Sequence, residues 1–152
     1  MILSQASELA TLLPAQSRLL GLDVGEKTIG LALSDVLRGI ASPLSTIERT
    51  KFTKDIEILQ KIIVSHAVAG LVIGYPVNMD GSLGPRAQST RAFAANCGKH
   101  IDLPMLLWDE RLSTMAVERV MLSADLSRAR RAQLVDKLAA SYMLQGFLDS
   151  MK

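Results

Sequence analysis

Residues 18–34 set the tightest constraint on what this chain can fold into. From Arg18 to Asp23 the side chains alternate, with Leu20 and Leu22 on one face and Gly21 and Asp23 on the other. Val24 to Thr28 contains Gly25 and reads as a turn. Ile29 to Ser34 alternates again, setting Ile29, Leu31 and Leu33 against Gly30, Ala32 and Ser34. Two period-two segments joined by a short glycine-containing turn predict a β-hairpin at the start of a sheet.

The rest of the chain switches to longer periods. A third strand is expected over Gly39 to Ile47, with Pro43 marking an edge or an end. Phe52, Ile56, Leu59 and Ile63 recur at helical spacing, which predicts a helix from about Thr53 to His66. Leu71 to Gly74 is an unbroken apolar run typical of a buried parallel strand. Pro76 to Pro85 reads as a loop with a tight turn at Asp80-Gly81. A second helix is expected from Arg86 to about Cys97, stopped by Gly98. A strand from Met105 to Glu110 follows. Ser113 or Thr114 can cap a third helix ending near Leu122, and Ser127 a fourth ending near Ser150. A β start followed by alternating strands and helices predicts an α/β fold whose sheet has antiparallel and parallel parts. Met1 to Gln16 is apolar, irregular and broken by Pro14. Residues 1–17 are therefore expected to be an extension with a short helix laid on the body, and residues 18–152 the domain itself.

At 152 residues there is room for one domain with a single core. The chain is 49% hydrophobic and 21% charged, which excludes a disordered segment. No apolar run reaches the length of a membrane span, and no basic stretch precedes an apolar one at the N-terminus. Its single cysteine, Cys97, fits a reducing compartment, so a cytoplasmic location is expected. The net charge of +2 is too mild to indicate nucleic acid by itself.

Three acids stand where a structural acid would be awkward. Asp23 closes an apolar strand beside a glycine turn, a common place for sites in α/β folds. The plainer role is an Asp bonded to its own turn. Glu110 ends the strand MLLWDE and shares its face with Trp108, whereas Asp109 points the other way. A salt bridge to Arg111 is the alternative. Asp136 shares a helical face with Ala140, Met143 and Phe147. A carboxylate on such an apolar face is costly unless paired or bound to a cation. The alternative is an ion pair with Lys137 or a nearby Arg, although Lys137 points about 100° away around the helix.

Together these carboxylates could hold one or two Mg²⁺ or Mn²⁺ ions, which prefer oxygen ligands and catalyse phosphoryl transfer. No Cys/His cluster supports zinc, and His66 and His100 fall at helix ends as surface residues. Arg128, Arg130 and Arg131 crowd the first turn of the fourth helix, where they oppose the helix dipole. A solvated face explains such a run, but a bound phosphate would complement both the arginines and the helix N-terminus. Lys27 and Arg111 add positive charge near the acids. GLDVGEKT is not a P-loop, because Glu26 stands where that motif needs glycine. It also looks like the first phosphate-binding turn of the actin and sugar-kinase superfamily, but those proteins need a second half for which this chain has no room.

The segments LGLDVGEKTIGLALSD, LVIGYPVNMDGS, LLWDERLST and VDKLAASYMLQGFLD, in this order, resemble the YqgF family of ribonuclease H-like proteins. That family is described both as Holliday junction resolvases and as pre-16S rRNA nucleases. The resemblance runs from about Arg18 to Asp149. It implies a ribonuclease H-like fold, with a mixed central sheet and helices on both sides, and an acidic site of Asp23, Glu110 and Asp136. It implies maturation of the 5′ end of small-subunit ribosomal RNA in the cytoplasm. Asn78 would lie on the rim near substrate, with Arg111 and Ser113 flanking the site. The residues expected to touch substrate are thus Lys27, Asn78, Arg111, Ser113, Arg128 and Arg131. The chain departs from the family at Thr28, where a basic residue is common, and at Ser113, where Thr is common. Cleavage of branched DNA is the alternative activity, and a non-catalytic RNA-binding module the alternative role. A resolvase would act as a symmetric homodimer, whereas an RNA nuclease could act as a monomer.

Overall fold

The computed structural model describes residues 2–3, 5–109 and 128–151, with the backbone alone for 128–137. Among the described residues, six strands form one sheet in the spatial order β1-β6-β5-β2-β3-β4. They are β1 (Ile2–Leu3), β2 (Arg18–Val24), β3 (Thr28–Ser34), β4 (Ala41–Glu48), β5 (Val68–Tyr75) and β6 (Met105–Asp109). Helices α1 (Ala6–Leu12), α2 (Phe52–Ser65), α3 (Pro85–Gly98) and α4 (Arg128–Ser150) cover it. The expected hairpin forms, with β2 and β3 antiparallel and Asp23 opposite Gly30. β4 continues antiparallel, whereas β5 lies parallel to β2 and β6 parallel to β5.

The alternation read in β2 and β3 sorts the side chains onto two faces. Leu20, Leu22, Ile29 and Leu31 join a core with Ile56 and Leu59 of α2 and Phe93, Ala94 and Cys97 of α3. Leu19 and Ala32 join a second core with Leu9 of α1 and Ala140, Met143, Leu144 and Phe147 of α4. Both faces of the sheet are therefore buried, which explains the unbroken apolar run in β5.

Three boundaries differ from the expectation. β5 begins at Val68, before the apolar run, because Arg18 and Leu19 of β2 already pair with Val68 and Gly70. α3 includes Gly98, and its C-cap is Lys99 at φ −76°, so no left-handed residue ends it. Gly98 serves close packing instead: a Cβ there would lie 3.2 Å from Met105 Cε. The first residues also enter the sheet, since β1 pairs with β6 through Ile2–Met105 and Leu3–Leu106. That pairing spans most of the chain, and a two-residue strand has no periodicity to read. The helix expected to be capped by Ser113 or Thr114 and to end near Leu122 lies outside the described residues.

Candidate active site

β2, β5 and β6 run parallel, so their carboxyl ends reach the same edge of the sheet. Asp23 lies at the end of β2 and is half-buried. It shares a face with Gly21, whose Cβ position is 3.0 Å from Leu144 Cβ and 3.5 Å from the Ala140 carbonyl oxygen. Asp23 thus belongs to the face covered by α4. The residue opposite it on β3 is Gly30. On the other side, Leu22 pairs with Ile73, and the next pair in that register sets Gly74 beside Asp23. Neither neighbouring strand contributes a side chain at this level. The wall beyond is Trp108, which pairs with Gly74 and meets Phe147 of α4 edge-on at 5.5 Å.

The direction of α4 follows from its anchors. Near its C-terminal end, the Gln145 side chain accepts from Ala41 N–H at 2.8 Å and donates to the Gly39 carbonyl at 3.0 Å. Ala41 pairs with Ser34, and Ser34 Oγ accepts from Leu19 N–H, so Gln145 sits toward the start of β2. Ala140 and Leu144 lie over Gly21, in mid-strand. The helix therefore runs opposite to β2, and the turn before Ala140, which contains Asp136, extends toward the end of β2. Ala140, Met143 and Phe147, which share a helical face with Asp136, are all fully buried.

Lys27 is exposed in the turn after β2. Gly25 N–H donates to the Thr28 carbonyl at 2.8 Å and closes that turn. Asn78 is exposed in the loop after β5, at the same edge of the sheet. Its side chain donates to Ser82 Oγ at 3.0 Å, and its carbonyl accepts from Gly81 N–H at 2.8 Å. Ser82 in turn donates twice to Asp80 Oδ1. Gly81 has φ +88°, as the expected Asp-Gly turn requires. Asn78 is thus a turn-building residue at the rim.

Glu110, Arg111 and Ser113 lie outside the described residues, and Asp136, Arg128 and Arg131 are described by backbone alone. Among the described residues, no three His, Cys, Asp or Glu side chains group as a metal-ion set. His100 is exposed and His66 half-buried. Arg49 was missed by sequence reasoning. It binds the β2–β3 turn from the end of β4, and no motif in the sequence signals that contact.

The family model of RuvX, described as Holliday junction resolvase, matches residues 17–150. The chain belongs to the RuvX family. A relative from Rhodobacter capsulatus is 58% identical, over 99% of this chain and 95% of its own length. One from Paramagnetospirillum magneticum is 60% identical, over 95% and 93%. Both bear the name "Putative pre-16S rRNA nuclease". As a RuvX protein the chain is a nuclease, a hydrolase of nucleic-acid phosphodiester bonds. Among solved structures, T. thermophilus RuvC in complex with Holliday junction substrate has a TM-score of 0.54 at 14% identity. The match covers 89% of this chain and 96% of that one, and the likeness is one of fold, the ribonuclease H-like fold. No helix among the described residues of this RuvX chain is long and apolar enough to cross a membrane.

Proposed function

We propose that this RuvX protein is a divalent-metal-dependent nuclease that processes the 5′ end of pre-16S ribosomal RNA, with Asp23, Glu110 and Asp136 as its acidic site. The observation that carries the reading is Asp23 itself. It is a half-buried carboxylate at the end of a parallel strand, flanked by Gly30 and by the position of Gly74. Neither glycine sets a side chain of its own beside the carboxylate. From Gly21 to Asp23 the strand advances roughly 6.7 Å. From Ala140 back to Asp136 a helix recedes about 6 Å. Because α4 and β2 run oppositely, these steps take both acids in the same direction. Glu110 follows β6, the strand beyond β5.

The donor set suits Mg²⁺ or Mn²⁺: it is all carboxylate, with neither thiolate nor imidazole. When bound, such an ion lowers the pKa of water and stabilises charge on the departing oxygen. Asp23, Glu110 and Asp136 would hold it. Lys27, at the tip of the adjacent turn, would attract backbone phosphate, and Arg128 and Arg131 at the start of α4 would do so with the helix N-terminus. Asn78, Arg111 and Ser113 would line the approach. The substrate assignment draws on the name shared by the relatives.

Precursor RNA carrying the 5′ extension of 16S rRNA tests the reading, with a four-way DNA junction beside it, in Mn²⁺ and in EDTA. Cleavage of the RNA in Mn²⁺ alone is expected. Asp23→Asn should lower it at least about a hundredfold, since even outer partners of metal ligands are worth 10–100-fold, while RNA affinity is kept. Cleavage that persists in EDTA would end the metal proposal. Preferential cutting of the junction would favour branched DNA, the activity in the family's description.

A further inference from the structure

Arg49 makes three contacts, two with the turn following Asp23 and one with α3. Its backbone N–H donates to the Lys27 carbonyl at 2.8 Å. Its Nη1 donates to the Gly25 carbonyl at 2.6 Å. Its guanidinium carbon stands 5.4 Å from the centre of the Phe93 ring, on α3. Phe93 is itself fixed, buried and edge-on to Phe52 at 5.9 Å. The guanidinium is therefore held at both ends, by a cation–π contact below and a short charge-assisted hydrogen bond above. The tip of the turn it holds, Glu26 and Lys27, is exposed. Such a tip has little packing of its own to fix its backbone.

We propose that Arg49 is a positioning residue for nucleic-acid binding, clamping the Gly25–Thr28 turn so that Lys27 meets a backbone phosphate beside Asp23. It acts through backbone carbonyls, so its effect on substrate passes through Lys27. The inference rests on the reading of Lys27 as a phosphate contact.

The test is a double-mutant cycle in the full-length protein, with kcat and KM measured on the RNA substrate. Lys27→Ala and Arg49→Ala should each raise KM about tenfold, with kcat within about twofold, as loss of uniform binding does. Arg49→Lys keeps a cation over Phe93 and one donor, and should recover part of the loss. In the Lys27→Ala background, Arg49→Ala should add little. Two effects that multiply in the double variant would overturn the proposal, as would a fall in kcat at unchanged KM. Should Arg49→Ala fail to fold, Arg49→Lys with Lys27→Ala answers the same question. A silent Lys27→Ala alongside an inactive Asp23→Asn would remove the Lys27 reading and this inference together, leaving the acidic site standing. Cleavage surviving Asp23→Asn would instead strike the acidic site.

Discussion

At the start of the β3–β4 connection the Asp35 carboxylate accepts from Gly39 N–H at 2.8 Å and Ile40 N–H at 3.0 Å. The Ile40 bond, then the Gly39 bond, holds its carboxyl below the usual 3.8, and Arg18 adds a smaller pull the same way. A depressed folded-state pKa stabilises the fold above the unfolded value and loses that contribution as pH falls through the folded one. Asp35→Asn should therefore melt below wild type at pH 7, and the gap should close as pH drops below about 3.8. Thermal melts of both proteins from pH 7 to pH 2.5 check this; a gap that widened in acid would contradict the assignment. Cys97 shows the opposite displacement. Burial pushes its thiol up to about 12, and the charge of Arg49 offsets only part of that. It should resist iodoacetamide in the folded protein at pH 8 and react once urea unfolds the chain. Rapid labelling under native conditions would mean that α3 opens.

Gly21 decides how closely α4 approaches the sheet. A Cβ there would stand 3.0 Å from Leu144 Cβ, which sits next to the helix backbone and has no rotamer freedom with which to yield. Gly21→Ala should therefore lift α4 and cost about 1–3 kcal/mol, as overpacking does. Differential scanning calorimetry reads the cost as a lower Tm, and cleavage should fall with it, because α4 contains Asp136. An unchanged Tm would show that the helix can shift freely. The elements most legible in the sequence were those whose periodicity is set by the faces they bury. The alternation of β2 and β3 survives intact in the two cores, and Phe52, Ile56, Leu59 and Ile63 mark α2. β1 was not legible, because its pairing with β6 is a contact between distant segments. Gly98 misled because glycine signals both a left-handed cap and close packing, and only the neighbouring Met105 decides between them.

Across the whole molecule, the proposed site would bring together segments far apart in the chain. Asp23 was legible as a polar residue ending an apolar strand, and its position at the shared edge of three parallel strands agrees with that. Arg49 was not, because it works through carbonyls of a turn that its own segment meets only in the folded sheet. The proposed convergence of Asp23 and Asp136 yields a measurement that needs no substrate. The unfolded chain separates Asp23 from Asp136, so a divalent ion held by both binds only the folded state and raises its stability. At 100 times its dissociation constant an ion adds about 2.7 kcal/mol, or roughly 5–10 °C in Tm for a chain of this size. Mn²⁺ should therefore raise the Tm of wild type, while Asp23→Asn and Asp136→Asn lose most of the shift and potassium chloride at matched ionic strength reproduces none of it. Equal shifts in all three proteins would locate the ion elsewhere and separate these two acids from metal binding.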